Sequence, residues 1–323
     1  MHTLPETLVV RPVTVDDLEE VVELITTSLR AKNTEPNVSV ASLRQIWQQI
    51  DLETCTWAIV THLGKIVAFA SLDARVPFLM RVLLAVDPEH DQEGMEAFLM
   101  RILEDHARVL LKDLPTDEPA ILQRRVNINS AETANQASQA YLDKVGFQLA
   151  KHFWQMEITL SAPPTRPVWP PEISLKPFQR GQDEEAALQV FAESFKGQGE
   201  AEVAHVTRLS RVAMADTTFD RSMWYLVTVN REIVGAEFCD VEGEKGWVHV
   251  IGVLPAWRRK GLAKALLQQA FYDFYQRGIR QIALGVDMKN PDGAIELYQN
   301  SGMHVVQHLL IYEKVLKPVD QIA

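Results

Sequence analysis

The chain has 323 residues, of which 47% are hydrophobic and 23% are charged, and its formal net charge is −11. This length is sufficient for about two domains of roughly 150 residues each. The negative charge argues against a general nucleic-acid-binding protein, because such proteins present basic surfaces to phosphate. It would favour a cationic small substrate such as an amine. No apolar run reaches the roughly 18–20 residues that a membrane span requires.

The first residues and the cysteines indicate a cytoplasmic protein. The opening Met1-His2-Thr3-Leu4-Pro5-Glu6 does not have the pattern of a signal peptide. Cys55 and Cys239 are the two cysteines, and each lies in an apolar, strand-like run. Such a pair does not form a disulfide scaffold, and a reducing cytoplasm fits better. We expect a cytoplasmic monomer or homodimer that binds neither nucleic acid nor membrane.

Hydrophobic periodicity predicts alternating strands and helices in the first half of the chain. Strands are expected over residues 8–11, 56–62, 65–72, 81–86 and 121–128, with one or two closing strands over 146–160. Helices are expected over residues 16–29, 41–50, 94–111 and 133–144. The sequence around Gly64 is a hairpin signal between the second and third strands.

A proline-rich segment separates the two halves. Residues 161–171 read SAPPTRPVWPP and contain five prolines. Proline cannot continue a helix or a central strand, so this segment is expected to be a stiff, polyproline-like linker. It divides the chain into a predicted domain at 1–160 and a predicted domain at 172–323.

The order of elements begins again after the linker. Strands are expected over residues 173–178, 224–229, 233–240, 247–253 and 281–287, with closing strands over 303–316. Helices are expected over residues 183–195, 201–214, 261–277 and 292–300. The predicted class is α+β, with a mixed, largely antiparallel sheet and flanking helices in each half.

Two segments show that the halves are copies of one another. Val86–Glu96 aligns with Val253–Ala263 without a gap: each begins Val-x-Pro and has a glycine six residues after the proline. Asp143–Phe147 aligns with Gln299–Met303. A repeat longer than about 150 residues is a domain duplication rather than a solenoid.

The copies differ in charge at the junction of strand and helix. Such a junction suits a phosphate, because the first N–H groups of a helix are free and the helix dipole favours an anion there. The second copy has Arg258, Lys260 and Ala263 where the first has Asp91, Glu93 and Glu96. Carboxylates would repel a pyrophosphate, so the second copy is expected to carry the working site and the first to be degenerate.

These residues match a known family. The strand end Val253-Leu254-Pro255 is followed by Arg258-Arg259-Lys260-Gly261-Leu262-Ala263, and a second motif stands at Asn290, Ala294, Leu297-Tyr298 and Gly302-Met303. The second half therefore resembles the GNAT superfamily of acyl-CoA-dependent N-acetyltransferases, and the first half resembles it in degenerate form. The tandem arrangement is similar to that of mycothiol-synthase-type members.

The resemblance implies two tandem GNAT-like domains and a reaction. The second domain would transfer an acetyl group from acetyl-CoA directly to a primary amine of a small molecule, with no metal. The backbone amides of 259–263, beside Arg258, would hold the pyrophosphate. The main chain near Val253 would polarise the thioester carbonyl, Asn290 would contact the pantetheine arm, and Tyr298 would be the general acid. Ordinary pKa values, near 8.5 for a thiol and near 10 for a phenol, would make that proton transfer nearly balanced.

The general base is less clear from the residues. Many family members have a carboxylate where this chain has Trp247. The remaining candidates are His249 on the same strand, Glu237 on the preceding strand, and a chain of water molecules.

Two alternative functions are consistent with the same residues. One is a non-catalytic acyl-CoA-binding or regulatory module, for which Trp247 would mark lost chemistry. The other is an acetyltransferase that acts on a protein N-terminus or lysine. Tyr298 and an unobstructed phosphate loop favour an enzyme.

Overall fold

The computed structural model describes residues 7–32, 36, 38–76, 78–90, 92–112, 120–128, 139–215 and 220–316. The chain forms two compact units. Unit 1 comprises residues 1–152 together with 308–323, and unit 2 comprises residues 153–307.

Unit 1 is built on a mixed sheet with the strand order β1-β2-β3-β4-β5-β12. Its strands are β1 Leu8–Arg11, β2 Thr56–Thr61, β3 Ile66–Asp73, β4 Leu79–Val86, β5 Ala120–Ile128 and the part of β12 (His304–Leu316) that begins at His308. Its helices are α1 Leu18–Ala31, α2 Val40–Trp47, the short α3 Leu52–Cys55, α4 Gln92–Leu111 and α5, described over 139–144. β4 and β5 are parallel, and the other pairs are antiparallel.

Unit 2 repeats this order of strands as β7-β8-β9-β10-β11-β6. Its strands are β6 Gln148–Thr159 from Phe153 onward, β7 Ile173–Pro177, β8 Tyr225–Val229, β9 Glu232–Glu242, β10 Lys245–Val253 and β11 Gln281–Asp287. Its helices are α6 Glu184–Phe195, α7 Glu200–Ala215, α8 Leu262–Gln276 and α9 Ala294–Asn300. β10 and β11 are the parallel pair.

The predicted fold class is confirmed. Each unit has a mixed, largely antiparallel sheet with flanking helices, and the described helices and strands begin and end close to the predicted positions. Amphipathic patterning explains this agreement, as in α1, whose Leu18, Val21, Leu24 and Ile25 are buried on one side. The short helix α3 was not predicted, because four residues are too few to show a period.

The closing strands differ from the predicted arrangement. Each half was expected to close its own sheet. Instead, residues 153–159 of β6 pair with β11 of unit 2, and residues 308–316 of β12 pair with β5 of unit 1. The units therefore differ from the predicted domains 1–160 and 172–323 in these strands. Periodicity identifies a strand, but side-chain fit and register select its partner.

Close packing holds β6 in unit 2. A Cβ atom placed on Gly285 of β11 would come within 2.0 Å of the Phe153 ring, so only glycine leaves room for this ring. Met156 of the same strand is fully buried in the core formed with Leu267 and Phe274 of α8. The contacts of Met156 lie on the face of the unit 2 sheet that α8 covers, and the contact of Phe153 with Gly285 lies on the other face.

The opposite face of the unit 2 sheet is covered by α6. There Trp224 stacks on Phe238 with ring centroids 4.0 Å apart, and Phe191 of α6 meets Phe238 edge to face. The indole N–H of Trp224 donates to the carbonyl oxygen of Cys239 at 3.0 Å, which satisfies the buried polar group. These two covered faces fix the strands that carry the candidate site.

Cys55 and Cys239 are both free thiols. Across the ranges given above, no helix is both long enough and apolar enough to cross a bilayer.

Candidate functional site

The parallel strands β10 and β11 separate part-way along their length. They pair over four residue pairs, from Lys245–Gln281 to Val248–Leu284, although β10 continues to Val253 and β11 to Asp287. The separation begins at a β-bulge in β10, where His249 is the additional residue. A bulge bends its strand and redirects a side chain, and bulges are frequent next to active sites.

The backbone of Val253 faces the opening between these strands. The N–H of Leu254 donates to the carbonyl oxygen of Val234 on β9 at 2.9 Å. Consecutive amides of an extended chain point to opposite sides, so the N–H of Val253 points away from β9 and towards the opening. The Val253 carbonyl shares that direction and accepts a hydrogen bond from Nε of Arg258 at 3.4 Å.

The turn after β10 brings backbone N–H groups to the same place. Pro255–Trp257 forms one 3-10 turn, and α8 begins at Leu262. Gly261 has φ +82°, a conformation that glycine adopts without strain, and no atom of the described residues lies within 4 Å of the position that a Cβ would occupy there. The first N–H groups of α8 have no acceptor within the helix, so the turn can bind an anion.

The three cations of the turn have different environments. Arg258 is partly buried and donates through Nη1 to Asp292 and through Nη2 to the carbonyl oxygen of Ser194, both at 2.6 Å. It therefore connects the turn to the end of α6 and to the segment before α9. Arg259 and Lys260 are exposed, and the Lys260 ammonium lies 4.2 Å from the centroid of the Trp257 ring. Arg259 and Lys260 are the cations available to a ligand.

Asn290 lies in the segment between β11 and α9. Its Oδ1 accepts a hydrogen bond from the N–H of Asp292 at 2.9 Å, which shapes the segment that receives Arg258. Asn290 thus has a local structural role beside the cofactor role that the resemblance implies.

Tyr298 of α9 packs into the core on the α8 side of the sheet, where Ile251 and Leu267 also lie. Burial of its hydroxyl group, with a smaller effect of the charge that Glu237 carries once it is ionised, raises the pKa of Tyr298 to about 12. Tyr298 is therefore neutral at neutral pH and retains a proton to donate. The proton transfer to a thiolate is less balanced than ordinary pKa values predict, because burial disfavours the tyrosinate.

Glu237 lies in the middle of β9, with Tyr225 of β8 and Ile251 of β10 as its paired neighbours. Its exposed fraction is 0%, and neither carboxyl oxygen has a hydrogen-bond partner among the described residues. Burial, followed by the charge of Asp273 on α8, raises the pKa of Glu237 well above its usual range. Glu237 is thus enclosed and held in its neutral form.

His249 lies on the accessible side of the bulge. Its neighbour Trp247 is paired in register with Asp240 of β9, so the side chains of Trp247 and Asp240 share one face of the sheet. His249 is exposed, whereas Asp240 is half-buried. Burial raises the pKa of Asp240, and a positive charge on His249 would lower it, so the two groups interact. Sequence reasoning missed Asp240, although the hairpin register places it opposite Trp247.

The predicted site residues other than Asn290 lie at three places in unit 2. Val253, Gly261, Leu262 and Ala263 follow one another along the strand end and the start of α8, with Arg258, Arg259 and Lys260 in the turn between. Glu237 and Tyr298 share the α8 side of the sheet, whereas His249 lies at the bulge.

Unit 1 has the same strand arrangement, but charged side chains lie where unit 2 has uncharged ones. β4 and β5 also pair over four residue pairs, from Leu79–Ile121 to Val82–Arg124. Arg124 forms a buried ion pair with Glu96 of α4, and the charges of both groups act on the partly buried Lys32. The corresponding positions in unit 2, Ala263 and Leu284, are uncharged. Asp91 and the Glu93 side chain lie outside the described residues.

Comparison with known proteins agrees with this geometry. Residues 188–303 match the family model described as acetyltransferase (GNAT) family. The chain contains a GNAT-family acetyltransferase domain. The predicted resemblance is therefore confirmed. The matched residues include the bulge at His249, Tyr298, and the turn at Arg258–Gly261 before α8, which we call the glycine turn.

Curated relatives carry the name mycothiol acetyltransferase. One from Thermobispora bispora is 30% identical over 164 residues, which is 49% of this chain and 55% of the relative. This chain spans about half the length of the first curated relatives that it matches.

Two solved structures show the fold over nearly the whole chain. A GCN5-related N-acetyltransferase from Sphaerobacter thermophilus is 27% identical, with a TM-score of 0.76 and 98% of each chain covered. A tandem GNAT protein from the clavulanic acid biosynthesis pathway is 16% identical, with a TM-score of 0.60, and covers 97% of this chain and 100% of its own. The second likeness concerns the tandem fold alone.

Proposed function

We propose that unit 2 transfers an acetyl group from acetyl-CoA directly to a primary amine of a small molecule. The observation that carries this proposal is the opening between β10 and β11, which the Val253 amide faces and which leads into the glycine turn and the start of α8. In unit 1 the parallel strands β4 and β5 also separate after four residue pairs, but the buried ion pair of Arg124 and Glu96 lies beside them. Unit 2 is therefore the working copy.

The residues present fit acetyl-CoA. The open space at Gly261 and the free amides at the start of α8 suit a pyrophosphate, with Arg259 and Lys260 as exposed cations beside them. We assign the pyrophosphate to the amides of 259–263 and the pantetheine arm to the side of Asn290. Bound acetyl-CoA supplies an activated thioester. The N–H of Val253 then stabilises the negative charge that develops on its carbonyl oxygen.

Proton transfer is assigned to two side chains. His249 is exposed at the bulge and takes a proton from the amine, since imidazole titrates near neutral pH. Tyr298 is neutral and donates a proton to the leaving sulfur. Asp240 is close to His249, and Glu242 and Asp220 act on Asp240, so this side of the sheet is acidic. An acidic surface here attracts a cationic amine.

Binding of acetyl-CoA is expected to raise the melting temperature. A ligand that binds only the folded state stabilises it by about 2.7 kcal/mol at 100 times its dissociation constant. The double substitution Arg259→Glu with Lys260→Glu should abolish the shift, because it reverses the exposed charge at the turn. Differential scanning fluorimetry with millimolar acetyl-CoA measures both effects.

A matched control is Arg101→Glu with Lys112→Glu, which makes the same change of net charge on exposed residues of unit 1. This variant should retain the full shift. Absence of any shift in the unaltered protein would contradict the proposed function, and a shift retained in the Arg259 and Lys260 variant would place the pyrophosphate elsewhere.

Trp247 favours one alternative, an acyl-CoA-binding module without catalysis, because it stands where many family members have a carboxylate. Release of free thiol with a panel of primary amines separates the two functions. A module binds acetyl-CoA without releasing thiol with any amine, whereas the proposed enzyme releases one thiol for each amine acetylated. The name of the curated relatives makes small-molecule amines the first class to test, before peptides with a free N-terminus or lysine.

A further inference from the structure

The side chain of Arg258 joins three segments of unit 2. Its Nε donates to the carbonyl oxygen of Val253 at 3.4 Å. Its Nη1 donates to Oδ1 of Asp292 and its Nη2 to the carbonyl oxygen of Ser194, both at 2.6 Å. All three nitrogens of the guanidinium group therefore have an acceptor within the protein. Because a guanidinium group presents its donors in a rigid plane, these bonds fix the acceptors relative to one another.

The ion pair of Arg258 and Asp292 spans the mouth of the opening between β10 and β11. Arg258 follows β10, which ends at Val253, and Asp292 follows β11, which ends at Asp287. The carboxyl ends of neighbouring parallel strands meet at the same edge of a sheet, where ligands of such sheets bind. The ion pair thus sets the distance between the two strand ends.

Asp292 also contacts the segment that follows α6. Its Oδ2 accepts a hydrogen bond from Nε2 of Gln198 at 3.4 Å, and a Cβ atom on Gly197 would lie 3.8 Å from its Oδ1. Lys196–Gln198 is the 3-10 turn after α6. The last carbonyl groups of a helix lack donors within the helix and favour a cation, which explains the bond that Ser194 accepts. The end of α6 is therefore held against the ion pair.

The position of α9 depends on contacts at its N-terminal end. The structure describes all of Ala294–Asn300, and none of these seven residues is fully buried. Asp292 precedes the helix by two residues, and its N–H donates to Oδ1 of Asn290 at 2.9 Å. Tyr298 lies in the second turn of this short helix, so a shift at its first turn also moves the Tyr298 hydroxyl.

We propose that Arg258 and Asp292 are a positioning pair for Tyr298, and that the Arg258 side chain is not a pyrophosphate ligand. The pair holds α9 against the ends of α6 and β10, so that the Tyr298 hydroxyl meets the sulfur of the thioester whose carbonyl the Val253 amide contacts. This inference rests on the proposed function. Unit 1 has Asp91 at the position aligned with Arg258, and a carboxylate offers no such donors.

The first test needs no ligand. Amide hydrogen exchange over residues 194–199 and 290–298 should be faster in Asp292→Asn than in the unaltered protein, because the ionic contact that joins these segments is lost. Partly exposed ion pairs contribute little to overall stability, so the variant should remain folded. Unchanged exchange in both segments overturns the proposal.

Glu157→Gln is the matched control for this test. Glu157 is ion-paired with Lys245 in unit 2, and their side-chain exposures of 14% and 33% are close to the 23% of Asp292 and the 32% of Arg258. Removing this pair should leave the exchange of both segments unchanged. Faster exchange in the control as well would make the effect a general loosening of unit 2 and overturns the proposal.

The second test measures kinetics with acetyl-CoA and an amine that the unaltered protein acetylates. Asp292→Asn and Arg258→Gln should each lower the turnover number at least about 10-fold, since a displacement of about 1 Å can cost on the order of 100-fold in rate. The KM for acetyl-CoA should not change. The double variant should lose no more activity than either single variant, because members of one network are not additive.

Each other result of the kinetic test contradicts the positioning role. A raised KM for acetyl-CoA in Arg258→Gln with an unchanged turnover number would make Arg258 a phosphate ligand. Losses that add in the double variant would show that the two side chains act separately. A merely structural role would lower the melting temperature and leave the turnover of each folded molecule unchanged. If the unaltered protein acetylates no amine, the proposed function fails and the positioning role with it, while hydrogen exchange still reports whether the pair joins the two segments.

Discussion

Replacing Tyr298 by phenylalanine is expected to lower the turnover number by about 10²–10⁴-fold, the usual contribution of a general acid or base. The phenyl ring can keep its place in the core beside Ile251 and Leu267, so the fold and the affinity for acetyl-CoA should be retained. Only the proton that the hydroxyl group holds at neutral pH is lost. Steady-state kinetics with a thiol readout and a melting curve with acetyl-CoA measure the two quantities separately.

Tyr272→Phe is the control for this substitution. Tyr272 also lies in unit 2, where Arg166 stacks on its ring with 5.6 Å between the guanidinium carbon and the ring centroid. A phenyl ring maintains that contact, so turnover should not change. Equal turnover in the Tyr298→Phe variant and the unaltered protein would show that Tyr298 serves packing alone.

Ending the chain at Gln307 is expected to unfold unit 1, although the missing residues are far from most of that unit in sequence. Residues 308–316 form nine residue pairs with β5, and Leu310, Tyr312 and Leu316 of this strand are buried in the unit 1 core. Burial of one large apolar side chain contributes about 1.5–3 kcal/mol. Three such losses approach the net stability of a whole domain, about 5–15 kcal/mol.

Hydrogen exchange of the β2, β3 and β5 amides measures this effect. A chain that ends at Leu316 is the control, because it retains all nine pairs and should protect these amides fully. Equal protection in the chain that ends at Gln307 would show that unit 1 is stable without β12. Residues 1–152 expressed alone should behave like the shorter chain.

Most of the individual elements could be predicted from the sequence, because their apolar residues recur at the period of a strand or a helix. α8 is an example: Leu262, Ala265, Leu266 and Ala270 all lie on its buried side. The glycine turn could also be located, since a positive φ at Gly261 requires the residue type that the motif supplies. The family resemblance followed from these local patterns.

Properties that depend on distant residues could not be predicted. The sequence groups Arg258 with two other cations, but its hydrogen bonds to Ser194 and Asp292 join segments 64 and 34 residues away. The burial that keeps Glu237 neutral comes from β8, β10 and α8 together. The partner of each closing strand depends on side-chain fit, as at Gly285 and Phe153.

The placement of β12 has a consequence for the order of folding during synthesis. The ribosome makes β5 long before residues 308–316, and the hydrogen bond from Gln123 to Glu313 joins residues 190 apart. Until the last strand emerges, the edge of β5 offers unpaired N–H and C=O groups to other chains. Contacts so distant in sequence form slowly. A nascent chain that stalls after β11 would thus be prone to aggregate through β5.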